Sequence, residues 1–204
     1  MQPCTMHPDV PAPPDPIADV PVIAVLGPSN IARTAGAAGI DPSLLFAAAE
    51  AAGAAIARRG WALIVVPDRG VAVSAMDGYL AAGGARLIGL CPASGVCEPA
   101  ATDSIRAQRD RCHELRDDLT WYEQHHTIGV LSDAMVTIGM SCGTISELAW
   151  TKWNPAPPPT ALVSGTASGL PPELAAELSV DLVALGDLDP WLGSVVRPHT
   201  LAAV

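Results

Sequence analysis

From position 20 onward, uninterrupted apolar runs alternate with breaks that carry glycine or proline. Val20–Leu26 is apolar throughout and stops at Gly27-Pro28-Ser29-Asn30, the pattern of a strand buried on both faces. Trp61–Val66 repeats it and stops at Pro67-Asp68-Arg69-Gly70. Arg86–Cys91, Ala134–Ile138, Thr160–Val163 and Asp181–Leu185 read as further strands. Longer stretches between them predict helices. Asp41-Pro42 places a capping Asp before a proline at the first helical position, and the helix should run to about Arg59, with Gly60 just past its end. Further helices are expected over Val73–Ala82, closed by Gly83-Gly84, over Trp121–Leu131, from Thr144 to about Lys152, and over Pro172–Leu178. Asn154–Pro159 reads as a proline-rich loop. This rhythm predicts an α/β fold, a Rossmann-like three-layer sandwich with a mainly parallel sheet.

Two stretches break the rhythm. Pro3, Pro8, Pro11, Pro13, Pro14 and Pro16 make residues 1–19 an expected disordered, Pro-rich tail rather than an export signal, leaving residues 20–204 as a single domain. Residues 92–132 are the most charged part of the chain, with Arg106, Arg109, Arg111 and Arg116 set among Asp103, Asp110, Glu114, Asp117 and Asp118.

Composition narrows the function classes. Half of the residues are apolar and 16% are charged, which excludes a solvating, disordered chain. Eight aromatic residues leave Ala, Val, Leu and Ile to build the core. A net charge of −10 argues against a nucleic-acid surface, while a small anion needs only backbone amides and one or two arginines. The apolar stretch Leu44–Ala57 contains Glu50 and falls short of the ~20 residues a membrane span needs, so no membrane partner is expected. Cys4, Cys91, Cys97, Cys112 and Cys142 form no C-x-x-C pair, which predicts reduced thiols, a cytoplasmic location and no metal site.

In an open parallel sheet, ligands bind beyond the carboxyl ends of the strands. Three loops reach that edge here, carrying Gly27, Ser29 and Asn30, then Arg69 and Gly70, then Gly139, Ser141, Cys142, Gly143 and Thr144. Glycine lets backbone approach an anion, and a helix N-terminus offers free N–H groups and partial positive charge. Thr144 and Glu147 have the spacing of a capping box, which competes with a ligand role for both. Asp68 is placed to cap the following helix. Arg69 could clamp a phosphate. Cys142 with His125 or His126 could form a nucleophile and base, although a small residue in a tight loop is the plainer reading. Adjacent histidines on a helix point about 100° apart, which disfavours a metal pair. Trp121, Trp150 and Trp153 flank the third loop and suit packing or a dimer face.

The segment from Ser132-Asp133-Ala134 through Gly139-Met140-Ser141-Cys142-Gly143-Thr144-Ile145-Ser146-Glu147 resembles the signature of the LOG family, once labelled lysine decarboxylase-like, and of the wider Rossmann-like nucleotide-binding group around it. Gly70, Met76, Ala81-Ala82-Gly83-Gly84 and Ile88-Gly89 fall where that family has its second glycine loop and following strand. The resemblance implies a small phosphorylated nucleotide as ligand, a homodimer and no required cofactor. Many members hydrolyse the N-glycosidic bond of a nucleoside 5′-monophosphate to free base and ribose 5-phosphate. The resemblance makes Glu147 the catalytic carboxylate, ionised by its place at a helix start and able to stabilise an oxocarbenium-like sugar. The family's arginine position falls on Gln124, beside His125 and His126, so the catalytic set becomes Glu147, His125 and Gln124. The G-T-x-S-E spelling of Gly143–Glu147 is also similar to molybdenum-cofactor carrier proteins, which bind a pterin-type nucleotide anion and need not catalyse. The leading expectation is therefore a phosphoribohydrolase that lacks the family arginine, and the alternative is a non-catalytic nucleotide or molybdenum-cofactor carrier.

Overall fold

A computed structural model describes residues 20–92 and 99–196. The expected tail at 1–19, together with Cys4 and Cys97, lies outside the described residues. Seven strands form one sheet: β1 (Val22–Leu26), β2 (Ala62–Val65), β3 (Leu87–Leu90), β4 (Glu114–Arg116), β5 (Ala134–Thr137), β6 (Thr160–Val163) and β7 (Val180–Val183). Their order is β4-β3-β2-β1-β5-β6-β7 and every pairing is parallel. Ile23 of β1 sits opposite Leu63 on one side and Ala134 on the other. The chain winds outward from β1 in one direction and then in the other, so the switch point lies between β1 and β5. The Asp133 carboxylate accepts the Val22 N–H at 2.8 Å and helps fix that central pairing.

Eight α-helices accompany the strands among the described residues: α1 (Ile31–Ala38), α2 (Pro42–Arg58), α3 (Val71–Ala81), α4 (Pro99–Gln108), α5 (Trp121–Val130), α6 (Cys142–Trp150), α7 (Pro172–Glu177) and α8 (Leu188–Val195). Alternation along the strands sends Ile23, Val25, Leu63, Val65 and Val136 into a core with α1, α2, α3 and α8. The opposite parity sends Val22, Ala24, Leu26, Ile64, Ile88 and Met135 against Ile128 of α5 and Leu148 of α6. Burying each large aliphatic side chain contributes ~1.5–3 kcal/mol. On the first face α2 and α3 approach until their backbones touch. A Cβ on Gly53 would lie 2.0 Å from the Ala75 carbonyl, and one on Gly78 would lie 2.0 Å from that of Glu50. Tyr79 is buried beside them. Its hydroxyl lies 2.8 and 3.0 Å from the carbonyls of Trp61 and Arg86 and accepts the Arg86 N–H at 3.0 Å.

The predicted strands and the Asp41-capped helix are present within one or two residues, and the Asp41 carboxylate accepts the Ser43 N–H at 2.9 Å. Four elements escaped the pattern. α1 is a short run of small residues whose inward face is only Ile31 and Ala35. β4 is a three-residue edge strand of mixed polarity. α4 lies in the charged segment, and α8 contains Pro190 in its first turn, where proline is tolerated. No helix among the described residues is long and apolar enough to cross a membrane.

Candidate functional site

The loops that follow β1, β2 and β5 meet at the switch point, at the carboxyl edge of the sheet. Contact between them depends on glycine. Gly70 has φ +60° and a Cβ there would lie 2.3 Å from the Pro28 carbonyl. That carbonyl instead accepts the Val71 N–H at 3.2 Å, which ties the second loop to the first. Gly27 packs on the Ile138 carbonyl, where a Cβ would come within 2.3 Å. Gly139, at φ +71°, donates its N–H to Thr166 Oγ1 at 3.0 Å. Asn30 caps α1 by accepting the Arg33 N–H at 3.1 Å, and Ser29 stays exposed.

The helix after the third loop begins two residues earlier than predicted. Ser141, not Thr144, is its cap and accepts the Thr144 N–H at 3.2 Å, with the two hydroxyls 2.9 Å apart. The anticipated Thr144–Glu147 capping box is therefore absent. A capping box does occur at Thr120 and Glu123, where it opens α5. Starting at Cys142 leaves the N–H groups of Cys142 and Gly143 without an acceptor among the described residues, as first-turn amides are unless a cap or ligand takes them. Space opens above Gly143, where a Cβ would meet only Ser141 Oγ, at 3.8 Å.

Glu147 stands one turn behind Gly143 and is buried. Burial pushes its carboxyl up to about 8, so at neutral pH it carries its proton. This overturns the expectation of an ionised carboxylate. The residue belongs to the second helical turn, where the helix dipole has faded and desolvation dominates.

α5 lies against α6 and carries the other predicted catalytic residues. Gln124 is 1% exposed and its Oε1 has no hydrogen-bond partner. His125 Nδ1 is 3.0 Å from Ser146 Oγ, and burial holds the imidazole below its ordinary value, which favours the neutral ring. His126 turns outward, edge-on to Trp150 with ring centroids 5.7 Å apart. Cys142 is exposed and, among the described residues, bonds neither histidine, so no nucleophile–base pair is assembled. Trp150 and Trp153 stack edge-to-face at 5.8 Å and, with Ser146 and Ala149, line a shallow hollow on the outer surface.

Sequence reasoning underrated Asp68. It does not cap α3, whose N-cap is Gly70 with no side-chain bond. Its carboxyl is largely buried, and one oxygen lacks a hydrogen-bond partner. Burial raises it, against the pull of Arg69 and the hydroxyls of Ser104 and Ser29. A carboxylate directly ahead of Arg69-Gly70 was the available signal. Arg69 is 58% exposed and stands 3.5 Å from that carboxylate. Among the described residues no three His, Cys, Asp or Glu side chains converge as a metal site would require.

An all-parallel α/β domain with glycine loops converging at its switch point defines the Rossmann-like nucleotide-binding class. Residues 20–155 match the SLOG cluster4 family, and the chain belongs to that family. The fold is shared with solved structures of low identity. The molybdenum cofactor binding protein of the phototrophic bacterium Rippkaea orientalis is 19% identical with a TM-score of 0.63, over 87% of this chain and 98% of that one. The molybdenum cofactor carrier protein of Chlamydomonas reinhardtii is 24% identical, also at 0.63, over 86% and 98%. DNA processing protein A of Helicobacter pylori, whose single-stranded DNA binding mode has been described, is 11% identical at 0.62, over 88% and 83%. No curated protein matches the chain in sequence.

Proposed function

We propose that this chain binds a small phosphorylated nucleotide or a pterin-type cofactor, with the phosphate on the N–H groups of Cys142 and Gly143, and that it acts as a binding or carrier protein. The observation that carries the reading is the start of α6. Two amides without an acceptor face open space above Gly143, at the switch point and at the positive end of a helix. Gly27, Ser29, Asn30, Arg69, Gly70, Gly139, Ser141 and Thr144 frame that position. The carrier reading is favoured over hydrolysis because Glu147 is protonated near neutrality and Gln124 stands where the LOG resemblance implies an arginine. The likeness in fold to the molybdenum cofactor proteins supports a pterin-type ligand as the second choice. The work is cytoplasmic, and a homodimer forms through the hollow of Trp150 and Trp153, since exposed apolar patches mark interfaces.

Hydrolysis stays as a second reading for one reason. A carboxyl held near 8 can donate a proton to a departing base, and Glu147 with His125 and Gln124 would then form the catalytic group. The test is thermal unfolding with AMP, CMP, GMP and UMP, together with chromatography for released base. A rise in Tm that Gly143→Val abolishes, with no base released, is the expected result. Base release lost in Glu147→Gln, with binding retained, would replace the carrier with the hydrolase. No shift with any nucleotide or with a pterin phosphate would overturn the binding site.

A further inference from the structure

The edge strand β4 is fastened to β3 in an irregular way. In a regular parallel ladder the N–H and C=O of one residue bond to two different residues of the neighbouring strand. The Leu87 carbonyl follows that rule and accepts the His113 N–H at 2.8 Å. The Leu87 N–H would then reach the carbonyl of Arg111, but Arg109–Arg111 is wound into a 3-10 turn just ahead of β4. The His113 ring supplies the acceptor instead, and the Leu87 N–H donates to its Nδ1 at 2.9 Å. One residue thus engages both backbone groups of Leu87. Leu87 is fully buried, whereas His113 stands exposed.

This contact sets the state of the ring. A backbone N–H can only donate, so Nδ1 offers its lone pair and the ring proton sits on Nε2. A ring with two protons has two donors and no acceptor, and its Nδ1–H would point at the Leu87 N–H. Histidine makes that change between pH 5 and 8. The charged groups of the surrounding elements are committed to one another. Glu114 of β4 holds Arg86, which leads into β3, at 2.5 Å, and Asp77 of α3 holds Arg111 at 2.5 Å. Arg109 of the turn pairs with Asp117 at 2.7 Å. Burial pushes the Cys112 thiol up to about 11 and raises the Tyr79 hydroxyl, so both stay uncharged in that range. We propose that His113 is a pH-sensitive catch: its neutral ring fastens β4 and the charged segment ahead of it to the sheet, and a second proton releases that edge. The fastening is present at neutral pH and is lost as the pH falls through the range in which the ring titrates. The fastened segment reaches the ligand edge, since α4 brings the Ser104 hydroxyl against Asp68.

Hydrogen exchange of the full chain tests the catch at pH 7.5 and 5.5, read amide by amide and corrected for the intrinsic rate at each pH. Protection of the Leu87 amide should fall about tenfold at the lower pH, the scale of one ordinary hydrogen bond. Ile138, whose N–H donates to the Leu26 carbonyl at the centre of the sheet, should hold within about twofold. The fall should follow the titration of the ring, read from its nitrogen shifts, which should report the Nε2–H tautomer at pH 7.5. His113→Asn offers a side-chain oxygen that takes up no proton in this range and should keep Leu87 protected at both values. His113→Ala should leave it poorly protected at both. A ring protonated on Nδ1 at pH 7.5 would overturn the catch, as would Leu87 protection that does not change with pH or does not follow the ring. An equal fall in His113→Asn would also overturn it and would assign the titration to the Glu114 or Asp77 carboxylate. If a variant fails to fold, the ring shifts and Leu87 protection of the unaltered chain decide the question.

Discussion

On one face of the sheet, α2 and α3 cross with their backbones in contact at Gly53 and Gly78. On the other, α5 and α6 enclose Gln124 and Glu147 and leave Trp150 and Trp153 in solvent. The first face is close-packed by alanine, glycine and branched aliphatics, and its buried Tyr79 hydroxyl is fully engaged. The second holds unpaired oxygens. Gln124 Oε1 and Asn154 Oδ1 have no partner, nor does Thr137 Oγ1, which shares the strand parity of Met135. Each such atom costs ~1–3 kcal/mol.

The largest effect should come from breaking the packed face. Gly53→Val places a branched side chain against the Ala75 carbonyl and should destabilise by more than ~4 kcal/mol, the extreme tail of point substitutions. Its counterpart, Gly143→Ala, adds a methyl to open space and should stay within ~0.5 kcal/mol. Urea unfolding of the two variants measures the contrast, and equal losses would show that the faces do not differ in tolerance.

Glu147 gives the next effect. Below pH ~4.5 both folded and unfolded chains hold its proton. As pH rises, the unfolded chain ionises freely while the folded chain resists until about 8. Stability should therefore fall between pH 5 and 8, by as much as ~3 kcal/mol at ~1.4 kcal/mol per unit. Glu147→Gln should remove that slope and be the more stable protein at pH 8. Urea midpoints at pH 5, 6.5 and 8 measure it, and parallel slopes in the two proteins would mean that the carboxyl is not desolvated.

The smallest effect on stability is expected at Trp153, which is 67% exposed. Trp153→Ser should change the unfolding free energy by ~0.5 kcal/mol or less. It should nevertheless convert the proposed homodimer to a 20.9 kDa monomer in light scattering. A monomer in the unaltered protein would assign the aromatic hollow to another occupant.

Apolar runs are strong signals, which is why the six longer strands and the helix after Asp41 were legible in the sequence. α1 was not, because its inward face amounts to Ile31 and Ala35 in a run of small residues, and β4 was not, because an edge strand buries too little to need apolar residues. At the site, the glycine loops and Glu147 could be read from the sequence, but the environment of Glu147 could not. Two residues that both suit a cap, Ser141 and Thr144, left the start of α6 ambiguous. Moving that start by two positions shifts Glu147 from the dipole-stabilised first turn into the buried second. Asp68 was hidden for the opposite reason. A carboxylate before a helix reads as a cap, and only the three-dimensional contacts show that it caps nothing.

The bond from Val22 to Asp133 spans 111 positions along the chain. During synthesis β1 emerges early and gains β2 soon afterwards, yet its other edge stays open until β5 follows. At ~5–20 residues per second, that interval is roughly 5–20 s. Throughout it, a hydrophobic strand edge is available to the wrong partner, and the first and third loops are not yet brought together. Pairing across so long a separation should be the slow step of assembly, and pulse-labelled amides that join β1 to β5 should gain protection last. A ligand that bridges the first and third loops would then act on the final closure, so its supply should govern how much of the newly made chain reaches the folded state.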